Sequence, residues 1–113
     1  MEGGPRWNEK RGFGSPILID PKVKEYYKEP IFYAMGHFSK FIPPDSVRVG
    51  MKLTPANDTN LWITTFKTPD NAIAVVVLNQ HTEEVELTIT DPNSGTLVNK
   101  ISASSMQSYI WWP

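Results

Sequence analysis

The sequence predicts an α+β chain with two unlike parts. Residues 1–45 hold a loop, a short strand and one amphipathic helix, and residues 46–113 form an antiparallel β-sandwich of about six strands. Three observations carry this. The apolar period changes from 3.6 to 2 near Asp45. Ten prolines and seven glycines fall mostly between the elements they separate. The run from Ala72 to Leu78 is apolar throughout, as a central strand covered on both faces must be.

The elements follow in order. Gly3-Gly4-Pro5 and Gly12-Phe13-Gly14-Ser15-Pro16 bracket an irregular loop. Pro16-Ile17-Leu18-Ile19-Asp20 has the apolar density of a buried strand. Val23 to Lys28 is expected to be a turn or a single helical turn, because Pro30 disfavours helical geometry at Glu29. Ile31, Ala34, Met35, Phe38, Phe41 and Ile42 then recur on one helix face, with Pro30 fitting the first helical position and Pro43-Pro44 ending the helix. Six strands are expected at Val47–Leu53, Leu61–Lys67, Ala72–Asn79, Val85–Thr90, Thr96–Ile101 and Ser105–Trp112. Thr68-Pro69-Asp70-Asn71 and Asp91-Pro92-Asn93-Ser94-Gly95 are turns, since proline presets φ while Asn, Asp and Gly accept unusual angles. Val85, Leu87 and Ile89 alternate with polar neighbours, which gives that strand one buried and one wet face.

Composition narrows the function. Hydrophobic residues at 40% and charged residues at 20% suit a globular protein, and a net charge of −1 gives no footprint for nucleic acid. No apolar run is long enough for a transmembrane segment. The start, Met1-Glu2-Gly3-Gly4-Pro5, has no signal-peptide pattern. The absence of cysteine removes disulfides and thiolate chemistry, and two histidines supply too few ligands for an expected metal site. His37 lies on the helix without a Ser-His-Asp spacing and reads as a structural histidine. Trp62, Phe66, Tyr109, Trp111 and Trp112 could stack on sugar rings, but their strand parity favours packing rows. The cluster Lys22, Lys24, Glu25, Lys28 and Glu29 reads as a solvated face. Asn57-Asp58-Thr59 is an N-glycosylation triplet after Pro55, which makes Asn57 a glycosylation candidate.

One stretch is specific enough to suggest a family. Phe32-Tyr33, Gly36-His37-Phe38-Ser39-Lys40-Phe41-Ile42-Pro43 and Val47-Arg48-Val49-Gly50 resemble glycoside hydrolase family 30 at the passage from the last barrel helix into a β-sandwich. Ser15-Pro16-Ile17-Leu18-Ile19-Asp20, Ala74 to Asn79 and Val85 to Pro92 extend the likeness, which is nearest to the animal lysosomal glucosylceramidase branch. The resemblance implies that residues 1–45 close a (β/α)8 barrel and that residues 46–113 are a sandwich completed by strands from elsewhere in the enzyme. It implies a retaining β-glucosidase acting on glucosylceramide in sphingolipid metabolism, without a cofactor, in the lysosome. The implied partners are the rest of the parent enzyme and a lipid-presenting activator protein.

That chemistry needs two carboxylates about 5–5.5 Å apart. By the resemblance both glutamates lie upstream of this chain, so no catalytic residue is expected here and the chain alone should be inactive. The loop from Gly3 to Gly14 is the part that would border the substrate entrance, with Trp7 and Asn8 as candidate contacts. That loop is about one residue longer than its animal counterpart, and Lys10 stands where an asparagine usually follows the tryptophan. The rival reading is a stand-alone β-sandwich, a glycan-binding or accessory module without catalysis.

Overall fold

The computed structural model describes residues 15–52 and 58–113. They form two compact units that divide between Gly36 and His37. In the first unit, β1 (Ile17–Asp20) and β2 (Glu25–Lys28) pair antiparallel, Ile17 opposite Lys28 and Asp20 opposite Glu25. Of the turn expected over 23–28, residues 23 and 24 are turn as expected, whereas Glu25–Lys28 is a strand. The reversal occurs just before it, where Lys24 takes φ +55° and the Asp20 carboxylate accepts a hydrogen bond from the Lys22 N–H at 3.0 Å. Tyr26 and Tyr27 then favour the extended chain. All four β2 residues are exposed, as the solvated-face reading of this charged stretch requires. The strand at 17–20 is present but not buried: Ile19 is 70% exposed among the described residues.

Helix α1 runs Pro30–Ser39 and has no buried residue. It stops three residues short of the expected end, although the Ile42 N–H still bonds the Phe38 carbonyl at 2.9 Å before Pro43-Pro44 prevent continuation. The apolar face is formed as the periodicity requires, yet Ile31, Met35 and Phe38 on it remain exposed among the described residues.

The second unit is the sandwich. A four-stranded antiparallel sheet has the order β3-β4-β5-β8, from β3 (Val47–Arg48), β4 (Leu61–Lys67), β5 (Ile73–Asn79) and β8 (Ser105–Trp111). Of the strand expected over Val47–Leu53, Val47–Arg48 is strand among the described residues, and Leu53 lies outside them. The Val49 N–H adds one bond to the Thr65 carbonyl before Gly50 leaves the ladder. A second sheet is the hairpin of β6 (Val85–Asp91) and β7 (Gly95–Ile101), closed by a turn in which Gly95 takes φ +108°, an angle costly for any residue with a side chain. Asn71, at φ +65°, turns β4 into β5 in the same manner.

Strand alternation decides what lies between the layers. Leu61, Val75 and Val77 point from the large sheet towards Leu87 and Ile101 of the hairpin, with Ile63, Ile73, Ile89, Tyr109 and Trp111 packed around them. β5 is central and paired on both sides, and Ala74, Val75, Val76 and Val77 are all buried. β8 pairs with β5 alone, so among the described residues its other edge carries no strand.

Candidate functional site

The face of the large sheet turned away from the core carries a cleft. Register places Trp62, Leu78 and Met106 in one row across β4, β5 and β8, and Thr64, Val76 and Ser108 in the next. Phe38, Arg48 and Met51 line the same cleft. The last turn of α1 is held there by the His37 imidazole, whose Nδ1 lies 2.6 Å from the Ser108 hydroxyl. His37 is thus a structural histidine, as its setting in the sequence suggests. Trp62 differs from the packing-row expectation. It is 60% exposed, and its indole N–H donates to the Thr59 carbonyl at 2.9 Å. Tyr109 and Trp111, by contrast, pack on the core.

The polar groups are committed to structure. Asp58 receives His81 Nε2 at 2.9 and 3.0 Å from its two oxygens and also the Asn60 N–H. The hydrogen bond from His81 holds the Asp58 carboxyl below the ordinary carboxylate range. The Thr68 hydroxyl, then the Trp112 indole, does the same for Asp70, and the Trp111 indole, then the Asn93 N–H, for Asp91. A glycosidase acid must have its pKa raised so that it carries a proton to the leaving oxygen. These three aspartates move the opposite way and are unsuited to that role. Among the described residues no group of three His, Cys, Asp or Glu side chains is placed to hold a metal.

Asn79 is the hub that sequence reasoning missed. Fully buried at the end of β5, its amide donates to the carbonyls of Glu83, Ile101 and Ser102 at 3.1, 3.3 and 3.1 Å. Its oxygen accepts the His81 N–H at 3.0 Å. Asn79 thereby joins the β5 end to the turn before β6 and to the turn after β7. A polar residue closing an otherwise apolar run was the available signal. The Asp58–His81 pair, by contrast, is separated by 23 positions and left none. The entrance-loop candidates Trp7 and Asn8, and Asn57 of the glycosylation triplet, lie outside the described residues.

Comparison with known families matches residues 45–109 to the glycosyl hydrolase family 30 beta sandwich domain and residues 1–42 to the family 30 TIM-barrel domain. The lysosomal acid glucosylceramidase of Mus musculus is 44% identical over 111 residues, which is 97% of this chain and 21% of that protein. Putative glucosylceramidase 3 of Caenorhabditis elegans is 34% identical over 112 residues, 96% of this chain and 20% of its own length. The chain thus spans about a fifth of the curated relatives it matches. Among solved structures, SrfJ from Salmonella typhimurium superposes with a TM-score of 0.87 at 21% identity, covering 99% of this chain and 24% of that one. The endo-beta1,6-glucanase BT3312 gives 0.79 at 21% identity, covering 97% and 24%. At that identity the two structures bear on the fold alone.

Proposed function

The chain belongs to glycoside hydrolase family 30, and from that premise we propose that it is the C-terminal part of a retaining β-glucosidase of glucosylceramidase type. The reaction is hydrolysis of glucosylceramide to glucose and ceramide. The observation that carries this reading is the 44% identity to the mouse lysosomal acid glucosylceramidase across 97% of the chain. Retaining hydrolysis uses one carboxylate as nucleophile, forming a glycosyl-enzyme, and a second as acid and then base. In this reading both belong to a part of the enzyme beyond these 113 residues, and the chain alone is inactive. Residues 1–45 are read as the C-terminal end of the barrel, and residues 46–113 as a supporting sandwich. Trp7 and Asn8 are the residues proposed to meet substrate at the entrance. A lysosomal location and a lipid-presenting activator protein belong to the same proposal.

The test compares two proteins: the longest natural reading frame that contains this chain, and the 113 residues alone. The longer protein is expected to cleave glucosylceramide at acidic pH, releasing β-glucose first as followed by NMR, and to co-fractionate with lysosomes. The short chain is expected to give no turnover. A longer protein that binds glycan without hydrolysing any β-glucoside would overturn the enzyme reading in favour of an accessory module.

A further inference from the structure

Among the described residues β8 is held in the large sheet from one side only, by β5. Its own pattern does little to fix its register. Gln107, Tyr109 and Trp111 share one face, and Met106, Ser108 and Ile110 the other, so apolar and polar side chains stand on both. A slip by one residue costs such a strand little through burial alone. The end of the strand supplies what the pattern lacks. Trp111 is its last residue, and the indole N–H donates at 2.8 Å to the carboxylate of Asp91, the last residue of β6. Trp112 follows, and its indole N–H donates at 3.1 Å to the carboxylate of Asp70 in the turn between β4 and β5. Consecutive tryptophans thus reach one carboxylate on each layer of the sandwich. A slip either way would carry one indole to the other's place and leave one carboxylate without its donor.

We propose that Trp111 and Trp112, held by Asp91 and Asp70, form a two-point latch that sets the register of β8 and opens when the two carboxylates take up protons. The groups recorded on these carboxylates are neutral. Asp70 has the Thr68 hydroxyl beside the Trp112 indole, and Asp91 has the Asn93 N–H and Ser94 beside the Trp111 indole. β8 has no charged residue, and its one titratable group, Tyr109, has its hydroxyl engaged by Gln107 and Asn99. The other strands of the sandwich carry Arg48 in β3, Lys67 in β4, Glu86 in β6 and Lys100 in β7. Neither ion pair among the described residues includes Asp70 or Asp91. With uncharged donors the latch should be indifferent to salt. The Thr68 hydroxyl, then the Trp112 indole, holds the Asp70 carboxyl below the ordinary range, as the Trp111 indole, then the Asn93 N–H, does for Asp91. A lowered folded value gives a contribution that is complete above the unfolded value of about 4 and is lost as pH falls through the folded value. The latch is therefore closed in mild acid and opens only in stronger acid. It goes beyond the functional reading above and does not depend on turnover.

The experiment uses the longest natural protein that contains this chain. Leu78→Cys is combined with Met106→Cys, its partner in the native register, or with Ser105→Cys or Gln107→Cys, its partners after a slip of one residue either way. With both tryptophans present, only the native pair should close to a disulfide, as mapped by mass spectrometry. Trp111→Phe with Trp112→Phe keeps two aromatic rings but removes both donors, and a slipped pair should then close as well. Hydrogen exchange reads the release, with β5 as the internal reference. Trp111→Phe should lower protection in β8 about tenfold at pH 6, and Trp112→Phe about threefold because its bond is exposed. Each gap should persist in about 1 M salt and close towards pH 3. Absence of any slipped disulfide in the double variant overturns the role in register. A gap in β8 protection that stays constant with pH overturns the release, and one that vanishes in salt overturns the indole–carboxylate latch itself.

Discussion

Replacing Asn79 by alanine is the sharpest test of how the sandwich is held. The side chain is 0% exposed, and one amide serves three carbonyls and one N–H across two turns. Leaving a buried polar group unpaired costs about 1–3 kcal/mol. The bond to the Ile101 carbonyl is wholly buried, so its loss carries the largest share of that cost. The bonds to Glu83, Ser102 and His81 are only part-buried, so water can replace them at a smaller loss. We expect Asn79→Ala to destabilise the sandwich by about 3–5 kcal/mol. Hydrogen exchange in the longest natural protein containing the chain would read this as about a 100- to 3,000-fold loss of protection in β5, at tenfold per 1.4 kcal/mol. Asn79→Asp separates polarity from shape. It keeps the size and the acceptor for the His81 N–H, but turns charged oxygen towards three carbonyl oxygens, so it should cost at least as much as alanine. A cost below about 1 kcal/mol for alanine, or a neutral aspartate variant, would refute the hub.

Three further predictions follow from burial and charge. Asp91 has its carboxyl held down chiefly by the Trp111 indole, so its contribution is present above the unfolded value of about 4 and fades as pH falls through the lower folded value. Asp91→Asn should therefore melt below wild type at pH 6 and approach it near pH 3, and an unchanged gap would count against the contact. Ile101→Ala empties a fully buried site between the sheets and should cost about 2–5 kcal/mol in denaturant unfolding, whereas a cost under 1 would mean the layers are not packed there. The 113 residues alone should aggregate or melt irreversibly, because Ile19, Ile31, Met35 and Phe38 are exposed and burying each such side chain is worth about 1.5–3 kcal/mol. A reversible, cooperative melt of a monodisperse monomer would show that the chain needs no further partner.

Much of the fold was legible because its strands obey simple rules. β4 begins and ends where the sequence pattern places it, and β5 to β8 lie within one residue of their expected ends. Continuous apolarity marked β5 as central, and alternation marked the wet face of β6. The misses share a cause, namely weak local signals. β2 is a run of charged and tyrosine residues whose strand state comes from its pairing with β1, a tertiary effect that residues 25–28 do not encode alone. Valine and methionine on either side of Gly50 suit a strand longer than β3. The ladder nevertheless ends there, and Met51 instead places its sulfur 3.4 Å from the Thr65 hydroxyl.

The candidate site was less legible for a physical reason. Family membership was written in ordered motifs around the helix, but a supporting domain does its work through packing and hydrogen bonds between distant residues. Nothing near Asp58 announces His81, and nothing near His37 announces Ser108, 71 positions away. Trp62 shows the limit most clearly. Parity assigned it correctly to a row with Thr64 and Phe66, yet parity says only which residues share a face, not whether that face is covered. On β4 the covered face is the one carrying Leu61 and Thr65, so the same alternation that buries them leaves the indole in water. The bond from its N–H to the Thr59 carbonyl fixes the ring on that exposed face, an arrangement only the folded chain reveals.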